Sequence, residues 1–134
     1  RTGATKQIIH EEYQKNIFEK LIPQKICRVF FLKDKDKNEI VASVAIIIHK
    51  NSAYYWWGAS IDEKEVGINK YLLWKSMNII KDEYYKNGGD GDFWFETGGA
   101  YIYARNGKQK GLSDFKKSFG CQLHPIYRGE YMLP

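Results

Sequence analysis

Ile40-Val41-Ala42-Ser43-Val44-Ala45-Ile46-Ile47-Ile48-His49, then Lys50-Asn51-Ser52, then Ala53-Tyr54-Tyr55-Trp56-Trp57-Gly58, is the stretch that decides the fold class. The first run is almost continuously apolar and rich in β-branched residues, which predicts a strand covered on both faces. Interrupted by Ser43, it is far short of the roughly 20 apolar residues needed to cross a bilayer. Lys50-Asn51-Ser52 is turn chemistry, and the aromatic run after it predicts a second strand. Its rings suit either a packed core or a platform on which bases stack. Upstream, Ile26 to Leu32 reads as another strand. Between it and Ile40 lies Lys33-Asp34-Lys35-Asp36-Lys37-Asn38-Glu39, whose alternating charges nearly cancel, so it reads as a solvated hairpin turn and not a nucleic-acid patch. The three strands make an antiparallel meander.

Helical spacing flanks this meander. Tyr13, Ile17, Phe18 and Leu21 predict a helix from about His10 to Ile22, stopped by Pro23. Leu73, Met77, Ile80 and Tyr84, flanked by Ile68, Leu72 and Ile79, predict a longer one from about Val66 to Tyr85. Asn87-Gly88-Gly89-Asp90-Gly91 ends it. Asp92 to Thr97 reads as a strand halted by Gly98-Gly99, and Ala100 to Gly111 as a loop. Leu112 to Phe119 reads as a short helix with Ser113 as N-cap. Gln122 to Leu133 reads as one or two closing strands. The expected class is α+β, a mixed, mostly antiparallel sheet flanked by helices.

With 134 residues, 43% hydrophobic and 28% charged, the chain is sized for one soluble domain. A formal charge of +5 favours anionic partners. Cys27 and Cys121 show no metal-ligand spacing and are expected as buried free thiols, with a disulfide as the alternative, and His10, His49 and His124 show none either. No metal site is therefore expected. No nucleophile elbow or phosphate loop of the familiar enzyme signatures is present. Without an apolar leader-like segment near Arg1, the expected location is the cytoplasm, extending to the inner membrane face.

The last third carries the most specific pattern. Phe93-Trp94-Phe95-Glu96-Thr97-Gly98-Gly99 is followed, after a variable stretch, by Gly111-Leu112-Ser113-Asp114-Phe115-Lys116-Lys117-Ser118-Phe119-Gly120. This order resembles the FemABX-like branch (peptidoglycan aminoacyltransferases and related acetyltransferases) of the GNAT superfamily. Tyr54 to Ser60, with its Gly-Ala-Ser ending, looks like one of the family's strands. Tyr71-Leu72-Leu73-Trp74 fits its long helix and Gly129-Glu130-Tyr131 its final strand. The resemblance implies a GNAT-like (acyl-CoA N-acyltransferase-like) fold over residues 1–134. It further implies transfer of an acyl or aminoacyl group to an amine of a cell-envelope precursor, peptidoglycan or polysaccharide in type.

By its motif position, the resemblance gives Lys116 a catalytic role. An ammonium there would stabilise the negative charge that develops on the attacked carbonyl oxygen. Phe115 would wall the donor pocket. Glu96 stands near a position where the family often carries Asp, and would orient the incoming amine or accept its proton. Tyr101, Tyr103, Arg105, Lys108, Lys110 and Lys117 would contact the donor, the rings by stacking and the cations through phosphates.

Asp62, Glu63 and Glu65, with Gly67 the one glycine, stand where CoA-dependent relatives have a glycine-rich pyrophosphate loop. The three acids repel a pyrophosphate, so aminoacyl-tRNA is the expected donor ahead of acyl-CoA, with no tightly bound cofactor. The acceptor would be a nucleotide- or lipid-linked precursor. Lacking an initiator methionine and the opening strand and helix of a full GNAT-like fold, the chain is expected to be the C-terminal unit of a longer transferase, pairing with a second such unit or a second copy. The competing class is a non-catalytic GNAT-like module that holds RNA or a nucleotide-linked ligand on its basic loop. A purely dimerising unit is the third.

Overall fold

A computed structural model describes residues 11–61 and 67–125, together with 127, 129 and 132. The chain divides into two compact units, residues 1–98 and 99–134. The first holds α1 (Glu11–Leu21), β1 (Cys27–Asp34), β2 (Glu39–His49), β3 (Ser52–Ser60), α2 (Ile68–Lys86) and β4 (Trp94–Glu96), and the second holds α3 (Gly107–Lys117).

The sheet runs β1-β2-β3-β4, antiparallel through its first three strands and parallel between β3 and β4. Turn chemistry sets the first hairpin: the Asp34 carboxylate accepts hydrogen bonds from the N–H groups of Asp36 (2.9 Å) and Lys37 (3.2 Å). Asn38 supplies the left-handed residue the turn needs, at φ 58°. In the second hairpin Lys50 takes φ 51°, and the Ser52 hydroxyl donates to the His49 carbonyl at 2.8 Å. Both turns fall where the sequence places them.

The core is the middle of β2 pressed under α2. Val44, Ala45 and Ile46 are all buried in succession, as expected of a strand covered on both faces. Helix α2 lays Leu72, Leu73, Ser76 and Ile80 against the sheet. Ser76 is tolerated there because its hydroxyl donates to the Leu72 carbonyl at 2.7 Å. On α1, Phe18 packs against Trp56 and Trp57, with ring centroids 5.8 and 6.2 Å away. That settles the aromatic strand mainly as packing: Tyr55, Trp56 and Trp57 are half-buried and Tyr54 is 38% exposed. Tyr13, placed by its spacing on the apolar stripe of α1, is 57% exposed.

Two expectations fail in the second unit. Residues 107–111, read as loop, are the first turns of α3, and Ser113 is a buried mid-helix residue instead of an N-cap. The i,i+4 ion pair of Lys110 with Asp114 spans this segment and helps offset the cost of Gly111 in a helix, about 1 kcal/mol. Residues 122–125, expected to open a closing strand, form none; residues 126, 128, 130, 131, 133 and 134 lie outside the described residues. His10 and the acidic segment 62–66 lie outside them as well. No helix among the described residues is long and apolar enough to cross a membrane.

Candidate functional site

In the first unit the strands β3 and β4 pair over only three rungs: Ser52 with Trp94, Ala53 with Phe95 and Tyr54 with Glu96. Strand β4 then ends, while β3 continues to Ser60. From Tyr55 to Ser60 the edge of β3 away from β2 has no strand beside it among the described residues. A strand edge of this kind presents N–H and C=O groups to a ligand that carries amides of its own. Glu96 is exposed and stands on the last rung before the strands part.

The same length of β3 carries a bulge. Ala45 faces Trp57 and Ile46 faces Tyr55, so Trp56 is the extra residue. Bulges re-aim backbone groups and concentrate next to active sites. Gly58 follows, and the close approach of its neighbours explains it: a Cβ there would lie 2.6 Å from the Tyr55 hydroxyl and 3.2 Å from Val44 Cγ1. Burial pushes the Tyr55 hydroxyl above its ordinary pKa, keeping it neutral. The buried Nε1 of Trp57 has no hydrogen-bond partner among the described residues.

At its far end β3 meets the start of α2. Asn69 donates from Nδ2 to the Ser60 hydroxyl at 2.9 Å, and its buried Oδ1 has no partner among the described residues. Helix α2 opens at Gly67, φ 105°, with no side-chain cap among the described residues and no acid in its first turn. The N–H groups of that turn and the positive end of the helix dipole therefore lie near the open edge of β3.

The second unit holds the motif lysine. Lys116 is 8% exposed, and its ammonium donates a hydrogen bond to the Gly99 carbonyl oxygen. Burial pushes its pKa below the ordinary lysine value, and the neighbouring Cys121 thiol pulls the other way. One turn back, the Ser113 hydroxyl accepts from the Tyr101 N–H at 3.0 Å. Together Ser113 and Lys116 strap residues 99–101 to α3.

Phe115 is half-buried and meets Phe119 edge-on at 5.1 Å. Tyr101 and Tyr103 are 49% and 89% exposed. Arg105 and Lys117 are exposed as well, and Lys108 and Lys110 stand exposed on the first turn of α3 and not on a loop. Lys110 is paired with Asp114. The structure thus brings Lys116 and Tyr101 to one strap in the second unit, sets Phe115 against Phe119, and leaves Glu96 on β4 in the first.

Sequence reasoning missed the bulge at Trp56, because register against β2 is a tertiary property. It also missed Asn69, an ordinary polar residue in a helical pattern. The Gly-Ala-Ser ending of β3 was the available signal, since Gly58 and Ser60 are the residues that admit Tyr55 and receive Asn69.

No protein-family model and no curated protein sequence matches the chain. Among solved structures, it is similar to one named "Putative acetyl transferase from Pyrococcus furiosus", with a TM-score of 0.59 and 17% identity, covering 97% of this chain and 84% of that one. It is also similar to one named "Crystal structure of a probable acetyltransferase", with a TM-score of 0.62 and 9% identity, covering 92% of this chain and 77% of that one. These likenesses concern the fold: a GNAT-like α+β architecture built on a mixed sheet.

Proposed function

We propose that this chain is an acyl-transfer domain that joins an acyl or aminoacyl group to an amine, with the donor lying along the open edge of β3. The observation that carries the reading is the parting of β3 and β4 after three rungs, with Glu96 on the last of them and a bulge at Trp56 just beyond. A backbone edge left open beside a short parallel partner holds an extended, amide-bearing arm without needing particular side chains. The two similar structures bear acetyltransferase names, which agrees with this use of the fold.

The chemistry is a substitution at a carbonyl. The acceptor nitrogen attacks the acyl carbon, forming the C–N bond as the bond to the donor's leaving oxygen or sulfur breaks. The nitrogen's surplus proton passes to the carboxylate of Glu96, and the leaving group takes up a proton in turn. Lys116 has the role its motif suggests, its Nζ–H groups donating hydrogen bonds to the oxyanion. Tyr101, Tyr103, Arg105, Lys108, Lys110, Lys117 and Phe115 serve donor binding.

The donor class follows from Asp62, Glu63 and Glu65 ahead of α2, three acids that disfavour a CoA pyrophosphate. An aminoacyl ester on tRNA is therefore proposed ahead of acyl-CoA. The acceptor class, an amine of an envelope precursor or polysaccharide, rests on the order of motifs from Phe93 to Gly120.

Mass spectrometry of the acceptor tests both. Offered charged tRNA, acyl-CoA and an amine-bearing precursor, the protein is expected to add one acyl mass from the tRNA. Addition from acyl-CoA alone overturns the donor assignment, and no addition from either overturns the transfer reading.

A further inference from the structure

Helix α2 buries one side and presents a patterned surface on the other. With 3.6 residues per turn, Tyr71, Trp74, Asn78 and Tyr85 fall within about 60° of one another. They lie opposite the buried Leu72, Leu73, Ser76 and Ile80. The three rings are 53%, 50% and 44% exposed, respectively. Lys70 and Lys81 flank this line on one side, and Lys75 and Lys86 on the other. Asp82 is the one acid on the face, since Glu83 turns aside to pair with Arg28 of β1. Lys75 stands over the Tyr71 ring, 5.7 Å from its centroid. The Tyr85 hydroxyl is anchored on the Gly91 carbonyl at 3.0 Å, and Asn78 is bonded back to the Trp74 carbonyl at 2.8 Å, so the line is held in place.

Solvent-facing helix positions are cheapest to fill with Glu, Lys, Gln or Ala, and large rings there lower helix propensity and solubility. Their presence at the apex of the helix, between two rows of lysines, calls for a partner with flat apolar faces and negative charge.

We propose that this outward face of α2 binds single-stranded nucleic acid, the rings stacking on unpaired bases and the lysine rows meeting the phosphates on either side. From Tyr71 to Tyr85 the line spans roughly 21 Å. That suits a run of about 4 nucleotides, at the low end of site sizes for single-strand binding surfaces. A bilayer surface is the weaker fit: the line contains Asn78 and no Leu, Ile or Phe to insert. The inference stands on this face alone and does not depend on acyl transfer.

The test is fluorescence anisotropy of a fluorescein-labelled 10-nucleotide oligouridylate, titrated with the protein across salt concentrations. Because the probe carries no acyl group, its binding is read whether or not the transfer assay succeeds, and the α2 variants assign that binding to this face. Trp74→Ala is expected to weaken binding roughly tenfold, the size of one base-stacking interaction. Lys75→Ala with Lys81→Ala is expected to flatten the logarithmic salt dependence by about 1.4, or 0.7 for each phosphate no longer neutralised. Lys35→Ala with Lys37→Ala, exposed on the turn between β1 and β2, is expected to leave the affinity within about twofold.

Circular dichroism melting checks that each variant is folded; Tyr71→Ala serves in place of Trp74→Ala if the latter unfolds. No binding by the wild type, wild-type affinity in the ring variants, or weakening only with Lys35 and Lys37 replaced each overturns the proposal. Capture by anionic phosphatidylserine vesicles without oligonucleotide binding overturns it in favour of a membrane surface.

Discussion

Lys116→Met separates what the lysine does for the fold from what it does for chemistry. Methionine is similar in length and fills the same channel, but it cannot donate a hydrogen bond or carry charge. In the wild type, Lys116 is 8% exposed and its ammonium is bonded to the Gly99 carbonyl. A hydrogen bond involving a charged group contributes about 1.5–3 kcal/mol. Two factors reduce the loss: Gly99 is exposed, so water can replace the donor, and burial already disfavours the charged amine. The net destabilisation expected is about 1 kcal/mol, a fall in Tm of about 3–5 °C.

The pH dependence gives an independent signature. The folded pKa of Lys116 is lowered, so the unfolded chain binds the proton more tightly, and stability must rise with pH from the folded pKa up to the ordinary value of 10.5. Lys116→Met removes that rise. Turnover measured well below Tm, where the variant is fully folded, should fall at least a hundredfold as oxyanion stabilisation disappears. Wild-type turnover together with the predicted drop in Tm would refute the catalytic role and leave Lys116 as a strap.

Other perturbations test other parts of the structure. Leu73→Ala, at a fully buried core position, should cost about 3–4 kcal/mol in urea unfolding; a cost under 1 kcal/mol would mean that α2 does not pack as described. Gly58→Ala drives a Cβ to 2.6 Å from the Tyr55 hydroxyl and should cost about 1–3 kcal/mol, with a local change in the Tyr55 ring signals by NMR. Burial raises the Cys27 thiol above its ordinary value of 9.0, so its contribution is present below that pH and is lost as pH rises through the folded value. Cys27→Ala should flatten that alkaline loss, whatever the substitution costs at neutral pH.

Local chemistry made most of the first unit legible. Asp34 and Asn38 mark one hairpin and Lys50 to Ser52 the other, because turn residues act on backbone angles within a few positions. The apolar run of β2 identifies itself because both its faces are covered. Strand β4, Trp94–Glu96, was legible as a strand within Asp92 to Thr97, but its parallel pairing and its short extent were not, since only long-range register determines them.

In α3 the two glycines at 107 and 111 read as loop, and the helix forms across them with the Lys110–Asp114 pair and the Ser113 and Lys116 straps, two of which are tertiary bonds. Tyr71, Trp74 and Tyr85 were visible as residues, but their place on the outward side of α2 depends on which side meets the sheet. The motif nominates Lys116 and Glu96, whose roles are part of the proposed function. The bulge at Trp56 and the open edge of β3 needed coordinates.

The central claim is that the edge of β3 beyond Tyr54 receives the donor. Amide hydrogen exchange with and without donor, read by mass spectrometry over residues 52–60, tests it most directly. The account predicts slowed exchange in the segment 55–60, while 52–54, already paired with β4, is unchanged. Exchange through 55–60 that is identical with and without a donor shown to bind would contradict it.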